Sequence, residues 1–410
     1  MAQFDLIIVG GGIGGCAAAI VMARAGNSVL LLEQSEVYED KVRGEWIAPW
    51  GVAETQRLGL YDLLVRAGGH HITRHITYDE TLEPGAAEAA TLPLSIFKEG
   101  VPGPLCLRHP LHCQTLFDAA SAAGVVTLRG VHVAEIHAGD APRVVYEQAG
   151  ETFEVRGRLL IGADGRASKV REAIGVTLHQ DKPHHWFAGL LVDQVEGWSD
   201  DLQAIGTEGD FGFLAFPQSE GRVRLYGGYA LDQAQRFRGP DGPRRFLDAF
   251  SMACSPDNRH IVAGRPAGPL FSYFNADSWT DAPFAPGAVL VGDAAGWNDP
   301  IIGLGLSITY RDVRIVTDLL KSSDDWAAPS FASYAEERRE RMRRLRFAAS
   351  LQAAIDMEFG EDARARRRSL FERSATDPSL RAHSFAVMAG PETLPAELFT
   401  DAHRARVLGA

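Results

Sequence analysis

The N-terminal MAQFDLIIVGGG lacks a basic leader, and its apolar run extends only from Leu6 to Val9. That is too short for a signal peptide and far short of the roughly 20 residues that cross a bilayer. Cysteine is scarce: Cys16, Cys106, Cys113 and Cys254 form no CxxC pair and match no metal-ligand spacing, so no metal is expected. Scattered free thiols suit a reducing compartment, and a soluble, cytoplasmic protein with no membrane contact is the expectation. Positive charge is in the minority, with 41 Lys and Arg against 53 Asp and Glu and a net charge of −12. Such a surface repels phosphate backbones, which argues against nucleic acid as a partner. The 410 residues predict two or three structural units at roughly 150 residues each. With 46% hydrophobic and 23% charged residues, disorder and collagen are excluded. Glycine alone is in excess, 42 of 410 against a usual share of roughly 7%.

The first glycine cluster has a recognisable setting. Residues 4–9 form a short apolar run that reads as a buried parallel strand. Gly10, Gly12 and Gly15 then fill GxGxxG, a helical pattern continues to Gly26, and residues 28–32 form a second strand ending on Glu33. Gly10 permits the tight turn, Gly12 lets a pyrophosphate approach the backbone, and Gly15 lets helix and strand pack closely. The helix start offers free N–H groups and partial positive charge to that pyrophosphate. Glu33 can accept hydrogen bonds from ribose hydroxyls, and its charge repels a 2′-phosphate. A lone GxGxxG also serves plain turns; placed between strand and helix, with a carboxylate at the next strand end, it predicts a dinucleotide site. The motif by itself leaves FAD and NAD open.

Two further turns follow. Residues 159–162 run as an apolar strand into Asp164-Gly165, with a helix beginning near Ser168. Residues 288–291 deliver Gly292-Asp293, followed by Pro300, Gly303, Gly305 and a helix to about Leu320. In the order and spacing of GxGxxG, a DG turn and a GD turn, roughly residues 1–345 resemble the flavin-dependent aromatic hydroxylases of the p-hydroxybenzoate hydroxylase type. The resemblance implies that Gly10, Gly12, Ile13, Gly14, Gly15, Glu33 and Gln34 hold the ADP half of FAD. It implies Arg43 and Arg108 at the phosphates, Val133 near the adenine and Asp164 by the pyrophosphate. Gly292 and Asp293 would meet the ribitol, and Pro300, Gly303, Leu304 and Gly305 would border the flavin ring. Gly296 stands where the family commonly has His, and Ser307 where it often has Asn.

A second GxGxxG is absent, so NAD(P)H is expected to dock transiently rather than on a domain of its own. A WxWxIP segment is absent too, and lysine is confined to Lys41, Lys98, Lys169, Lys182 and Lys321, which argues against a halogenase. In the segment Arg43-Gly44-Glu45-Trp46, Glu45 is expected to pair with an arginine and Trp46, like Trp50, to pack. Residues 186–192, 203–207, 211–216 and 223–230 alternate as strands without helices between them, predicting a mostly antiparallel sheet. Phe211, Phe213, Phe216, Tyr226 and Tyr229 are divided by this reading between core and an apolar pocket. A phenolic substrate reacts better as phenolate, which makes His184, His185, Arg224 and Tyr226, with Pro300 beside the flavin, the catalytic candidates. Residues 336–346 and 363–368 are arginine-rich and read as solvated helix laced with i, i+4 pairs.

The expected architecture is α/β with an α+β insertion: a Rossmann-like FAD domain from residues 1–75, 101–180 and 265–320, a substrate domain from 76–100 and 181–264, and a helical segment from 321–410. The expected function is an FAD-dependent monooxygenase that consumes NAD(P)H and O2, through a flavin C4a-hydroperoxide as the resemblance implies, to hydroxylate an aromatic or polyketide-like small molecule. Two alternatives are a reductase of carbon–carbon double bonds acting on prenyl chains, and a flavoprotein that only sequesters a ligand. Oligomeric state stays open. Glu33→Ala is expected to weaken FAD binding in a titration of the apoprotein, and unchanged affinity would contradict the ribose assignment.

Overall fold

The computed structural model describes residues 2–274 and 276–409. Strand Ala2–Val9 lies at the centre of a parallel sheet, between Glu151–Gly162 and Val29–Leu32. Ala288–Leu290 extends the sheet beyond the first neighbour and Val126–Leu128 beyond the second, both parallel. Alternate residues go to opposite faces: Leu6, Ile8, Val29, Leu31, Leu159 and Ile161 enter one core, while Ile7, Val9, Leu30, Leu32 and Leu160 enter another. Burial on both faces explains why these strands read as unbroken apolar runs. The antiparallel strands His132–His137 and Arg143–Gln148 continue from Glu151–Gly162 as a ribbon.

The second sheet is mostly antiparallel: Trp186–Asp193, Val223–Tyr229, Phe211–Pro217 and Leu202–Glu208 pair in that order. It departs from the expected boundaries at two edges. Arg74–Asp79 joins Leu202–Glu208 in parallel, so the sheet claims residues before 76. Phe271–Phe274 pairs with Trp186–Asp193, so it also claims residues beyond 264. One face packs Phe211, Phe213, Tyr229, Phe237, Phe246 and Phe250 into a core of edge-to-face rings. The other face presents Phe187, Leu214, Phe216 and Tyr226 toward Trp46 and Ile301 of the first domain.

The C-terminal helices correct the sequence reading most. Helix Ala332–Asp356 carries Arg338 and Arg341 at 1% and 3% exposure, and helix Glu361–Ser374 carries Arg367 at 2%. These are buried charges, tolerated because each is paired. Arg367 donates to Asp79 at 2.6 Å and to Glu80 at 2.6 Å. Arg338 and Arg341 converge on Asp312, in helix Gly305–Ser322, at 3.0 and 2.7 Å. The other Asp312 oxygen lone pairs take the Gly292 N–H at 2.9 Å, and Arg338 donates onward to the carbonyls of Ala295 and Gly296 at 2.8 and 2.9 Å. Burial works to raise the Asp312 pKa, but the two guanidinium charges outweigh it and hold the carboxyl below its ordinary value. Residues 336–346 are therefore a clamp on the 292–296 turn, with only part of their arginines in solvent.

Among the described residues no helix is long and apolar enough to cross a membrane, and no group of His, Cys, Asp or Glu is arranged to hold a metal ion. Asp312→Asn leaves two guanidinium groups buried without their counter-charge and is expected to cost about 3–5 kcal/mol in urea denaturation. A loss below about 1 kcal/mol would show that the clamp is not a stability element.

Candidate functional site

Two helices begin at the same place. Helix Ile13–Arg24 has Gly12 as its N-cap residue and helix Gly305–Ser322 has Leu304, neither with a side-chain cap or an acidic residue in its first turn. Both starts open on one cavity of about 1240 Å³, lined there by Ile13, Gly14, Gly303, Leu304 and Gly305. Free N–H groups and partial positive charge from both ends face the same space, which favours an anionic ligand. Arg43 and Arg166 line it as well.

The glycines divide into those that shape the backbone and those that leave room. Gly10 has φ +102°, and a Cβ there would lie 2.3 Å from the Ala163 carbonyl oxygen; one on Gly15 would lie 1.8 Å from the Gly10 oxygen. These two are fixed by turn and packing. A Cβ on Gly12 or Gly305 would meet nothing within 4 Å. Open space over two uncapped helix starts that face one cavity is what a pyrophosphate and a flat ring system require, so the residues present fit FAD.

Several expected contacts have local partners. Glu33 accepts the Gly11 N–H at 2.6 Å and the Ser35 N–H at 2.7 Å, which fixes its carboxylate beside the glycine turn. Gln34, next to it, is exposed. Asp164 braces the start of the short helix Lys169–Ala173, whose N-cap is Ser168, by accepting from the Ser168 hydroxyl and the Val170 N–H, and burial raises its pKa. Its neighbours Ala163 and Gly165 line the cavity. Asp293 lines it too, held by Arg166 at 3.3 Å, and Arg166 lies over the Trp297 ring. Arg108 is the half-buried N-cap residue of helix His109–Ala122; the cavity wall beside it is His109, whose pKa burial pulls down to about 4. Val133 is packed in the core, its carbonyl accepting from Lys169 Nζ at 2.8 Å.

The catalytic candidates scatter. Arg224 is fully buried off the cavity, donating to Glu45 at 2.8 and 3.0 Å and to Asp40 at 2.7 Å. Its charge is taken up by the 40–45 segment, which corrects its reading as a phenolate partner and agrees with the expected pairing of Glu45. His184 is exposed. His185 is buried behind the wall, 3.5 Å from Asp299, whose side chain accepts the Ile301 N–H at 3.0 Å. Tyr226 and Pro300 do line the cavity; Tyr226 donates its hydroxyl to the Arg43 carbonyl at 3.0 Å. Phe213 and Phe216 join them there, while Phe211 and Tyr229 belong to the opposite core.

Trp46 was expected only to pack, yet it lines the cavity between two functional neighbours. A Cβ on Gly303 would sit 3.4 Å from its ring, and its indole N–H donates to Gln203 at 2.8 Å. Gln203 in turn donates to His75 at 3.2 Å. Beyond His75 the wall is built by Asp356, Arg367, Arg381, His383 and Met388 of the C-terminal helices. Nothing local in the sequence marks these residues; only the approach of residues 350–390 to the second sheet makes them wall.

A third acid lies behind the Pro300–Ile302 turn. Asp277 is 5% exposed and accepts the Asn298 side-chain N–H and the Asp299 backbone N–H, both at 2.9 Å. Burial, with the nearby Asp299 charge, pushes its pKa up to about 7.

Residues 3–348 match the family described as FAD binding domain. The squalene monooxygenase of Mus musculus is 25% identical over 332 residues, covering 78% of this chain and 55% of that protein, so this chain spans about half of its length. The 3-demethoxyubiquinol 3-hydroxylase of Escherichia coli K12 is 26% identical over 375 residues, 86% of this chain and 88% of that one. In fold, the chain is similar to the crystal structure of p-nitrophenol 4-monooxygenase PnpA from Pseudomonas putida DLL-E4, with TM-score 0.76, 20% identity and 98% of each chain covered.

A carboxyl whose pKa is raised on folding stabilises the fold fully below its unfolded value, near 3.9, and loses that contribution as pH climbs to the folded value. The Asp277 contribution to the melting temperature is therefore expected to fall between about pH 4 and its folded value of about 7, against the opposite slope of the buried histidines His75, His109, His112 and His383, whose pKa values are lowered. Asp277→Asn should remove that falling component, so the melting-temperature slope between about pH 4 and 7 becomes more positive in the variant, while Asp356, pushed up by burial to about 6, keeps its own. An unchanged slope in the variant would refute the assignment.

Proposed function

The chain belongs to the FAD binding domain family, and on that premise we propose that it is an FAD-dependent monooxygenase that takes electrons from NAD(P)H and transfers oxygen from O2 to an apolar aromatic or polyketide-like small molecule. The observation that carries this reading is the continuity of one cavity from the two uncapped helix starts to a wall of aromatic side chains. At about 1240 Å³ it exceeds the roughly 300–1,000 Å³ of a site for a single small ligand, leaving room for a substrate against a cofactor ring.

FAD, when bound, supplies the two-electron redox and oxygen chemistry; the chain supplies position and environment. In this scheme Gly10, Gly12, Ile13, Gly14, Gly15, Glu33 and Gln34 hold the adenosine and pyrophosphate part, with Arg43 offering charge. Gly292 and Asp293 take the ribitol, and Pro300, Gly303, Leu304 and Gly305 face the ring. The first turn of helix Gly305–Ser322 favours negative charge on whatever lies against it. Trp46, Phe213, Phe216 and Tyr226 exclude water and hold a flat apolar substrate by ring contacts. Tyr226, its pKa raised by burial, stays protonated and acts as a hydrogen-bond donor rather than a base. His185 is a positioning residue, acting through Asp299 on the turn Pro300–Ile302. His184 and Arg224 have no part in this scheme.

The purified protein is expected to carry or take up FAD and to consume O2 and NAD(P)H in equal amounts when a substrate is supplied, with little peroxide released. Absence of flavin absorbance after FAD addition would overturn the reading. Turnover under anaerobic conditions with saturation of a double bond would instead establish a reductase.

A further inference from the structure

We propose that Arg381 is an anchor for a carboxylate carried at one end of an otherwise apolar ligand, so that the preferred substrates are hydrophobic acids bound with the acid group far from the Gly303–Gly305 end of the cavity. The inference rests on the reading of this cavity as the substrate site.

Arg381 is the N-cap residue of helix Ala382–Ala389 and lines the cavity. Its Nε–H donates to the Ser374 hydroxyl at 3.2 Å, and its guanidinium lies 4.6 Å over the Phe371 ring. Among the described residues it makes no other hydrogen bond and no ion pair, so both terminal NH2 groups are left to the cavity. Arg367, on the same wall, is the contrast: Asp79 and Glu80 occupy its fork at 2.6 Å each. The Asp356 and Asp79 carboxylates act on this guanidinium only from beyond ion-pair distance, so its desolvation is fully offset only when a closer counter-ion arrives. Its two-pronged donor geometry matches the two oxygens of a carboxylate.

The surroundings add no competing cation. His75 and His383 line the cavity beside it, and burial followed by the Arg381 charge pulls their pKa values down to about 4 and about 3, so both are neutral. The position is also ordered relative to the glycine end. Gly303 abuts Trp46, Trp46 bonds Gln203, Gln203 bonds His75, and His75 feels the Arg381 charge. An acid held at Arg381 thus runs its apolar body back along the indole toward the helix starts.

Asp356 is the group that sets the pH response. It lines the cavity and accepts from the Gln352 amide, but lies outside ion-pair distance of Arg381. Burial raises its pKa to about 6, with Arg367 and Arg381 opposing and Asp79 reinforcing the shift. The remaining charges facing it form closed pairs, Asp79 with Arg367 and Glu80 with Arg364 and Arg367. As pH falls through about 6, Asp356 loses its charge and ceases to repel an incoming carboxylate.

The test uses the FAD-loaded protein and two matched probes, 6-phenylhexanoate and 6-phenylhexan-1-ol, with binding read from flavin absorbance and tryptophan fluorescence. The acid is expected to bind about 10- to 100-fold more tightly than the alcohol, the range of a charge-assisted hydrogen bond. Arg381→Met should abolish that preference while keeping alcohol affinity and flavin content, and Arg381→Lys should restore part of it. The preference should grow from pH 7.5 to 5.5 and stay flat in Asp356→Asn. Equal binding of acid and alcohol, binding of neither, or an undiminished preference in Arg381→Met would each overturn the proposal. A protein that takes up no FAD overturns the monooxygenase reading instead, and the acid preference is then still read from tryptophan fluorescence.

Discussion

The architecture depends on one buried carboxylate. Asp312 joins the backbone of the Gly292 turn to two arginines from a helix that begins 20 residues further on, and Arg338 carries the connection to the carbonyls of the same turn. Without it, the Gly292 N–H would be buried without its partner and Arg338, which serves the Gly296 carbonyl, would lose its counter-charge beside the start of helix Gly305–Ser322. The cavity's glycine end therefore owes its rigidity to side chains outside the Rossmann-like unit. Burying this many charges is affordable only because every one of the three has a counter-charge within hydrogen-bond distance.

The cavity itself is a joint product of three parts of the chain. The parallel sheet delivers two helix starts, the second sheet delivers aromatic side chains, and the C-terminal helices close the remaining side. Its polarity is uneven: backbone dipoles at one end, a side-chain cation at the other, and an indole between them. Such a gradient orients an elongated ligand before any specific contact is made.

What could be read from the sequence was local. GxGxxG, Glu33 and the two glycine–aspartate turns each lie within a strand–turn–helix unit whose chemistry is set by neighbours along the chain, and the strands on either side follow from apolar runs. The arginine blocks misled because composition reports charge without reporting its partner: Asp312 is 26 residues from Arg338, and Asp79 is 288 from Arg367. Arg224 misled for the same reason, its partners Asp40 and Glu45 lying 184 and 179 residues away. Trp46 reads as packing in the sequence because a tryptophan that fills a core and one that walls a cavity have the same sequence neighbours. Gly296 replaces a family histidine at a place where backbone leaves no choice, with φ +112° and the Ser278 carbonyl oxygen 2.5 Å from a would-be Cβ.

The interleaving of the two sheets has a consequence for synthesis. Strand Ala2–Val9 is made about 150 residues before its neighbour Glu151–Gly162, and the outer strand Ala288–Leu290 comes later still. Helix Ala332–Asp356, which braces the turn beside them, comes after both. At elongation rates of about 5–20 residues per second, Ala2–Val9 gains Val29–Leu32 within seconds but waits roughly ten seconds or more for Glu151–Gly162, with one edge and its apolar faces uncovered. The glycine end of the cavity is therefore fully braced only once the chain has been made through helix Ala332–Asp356.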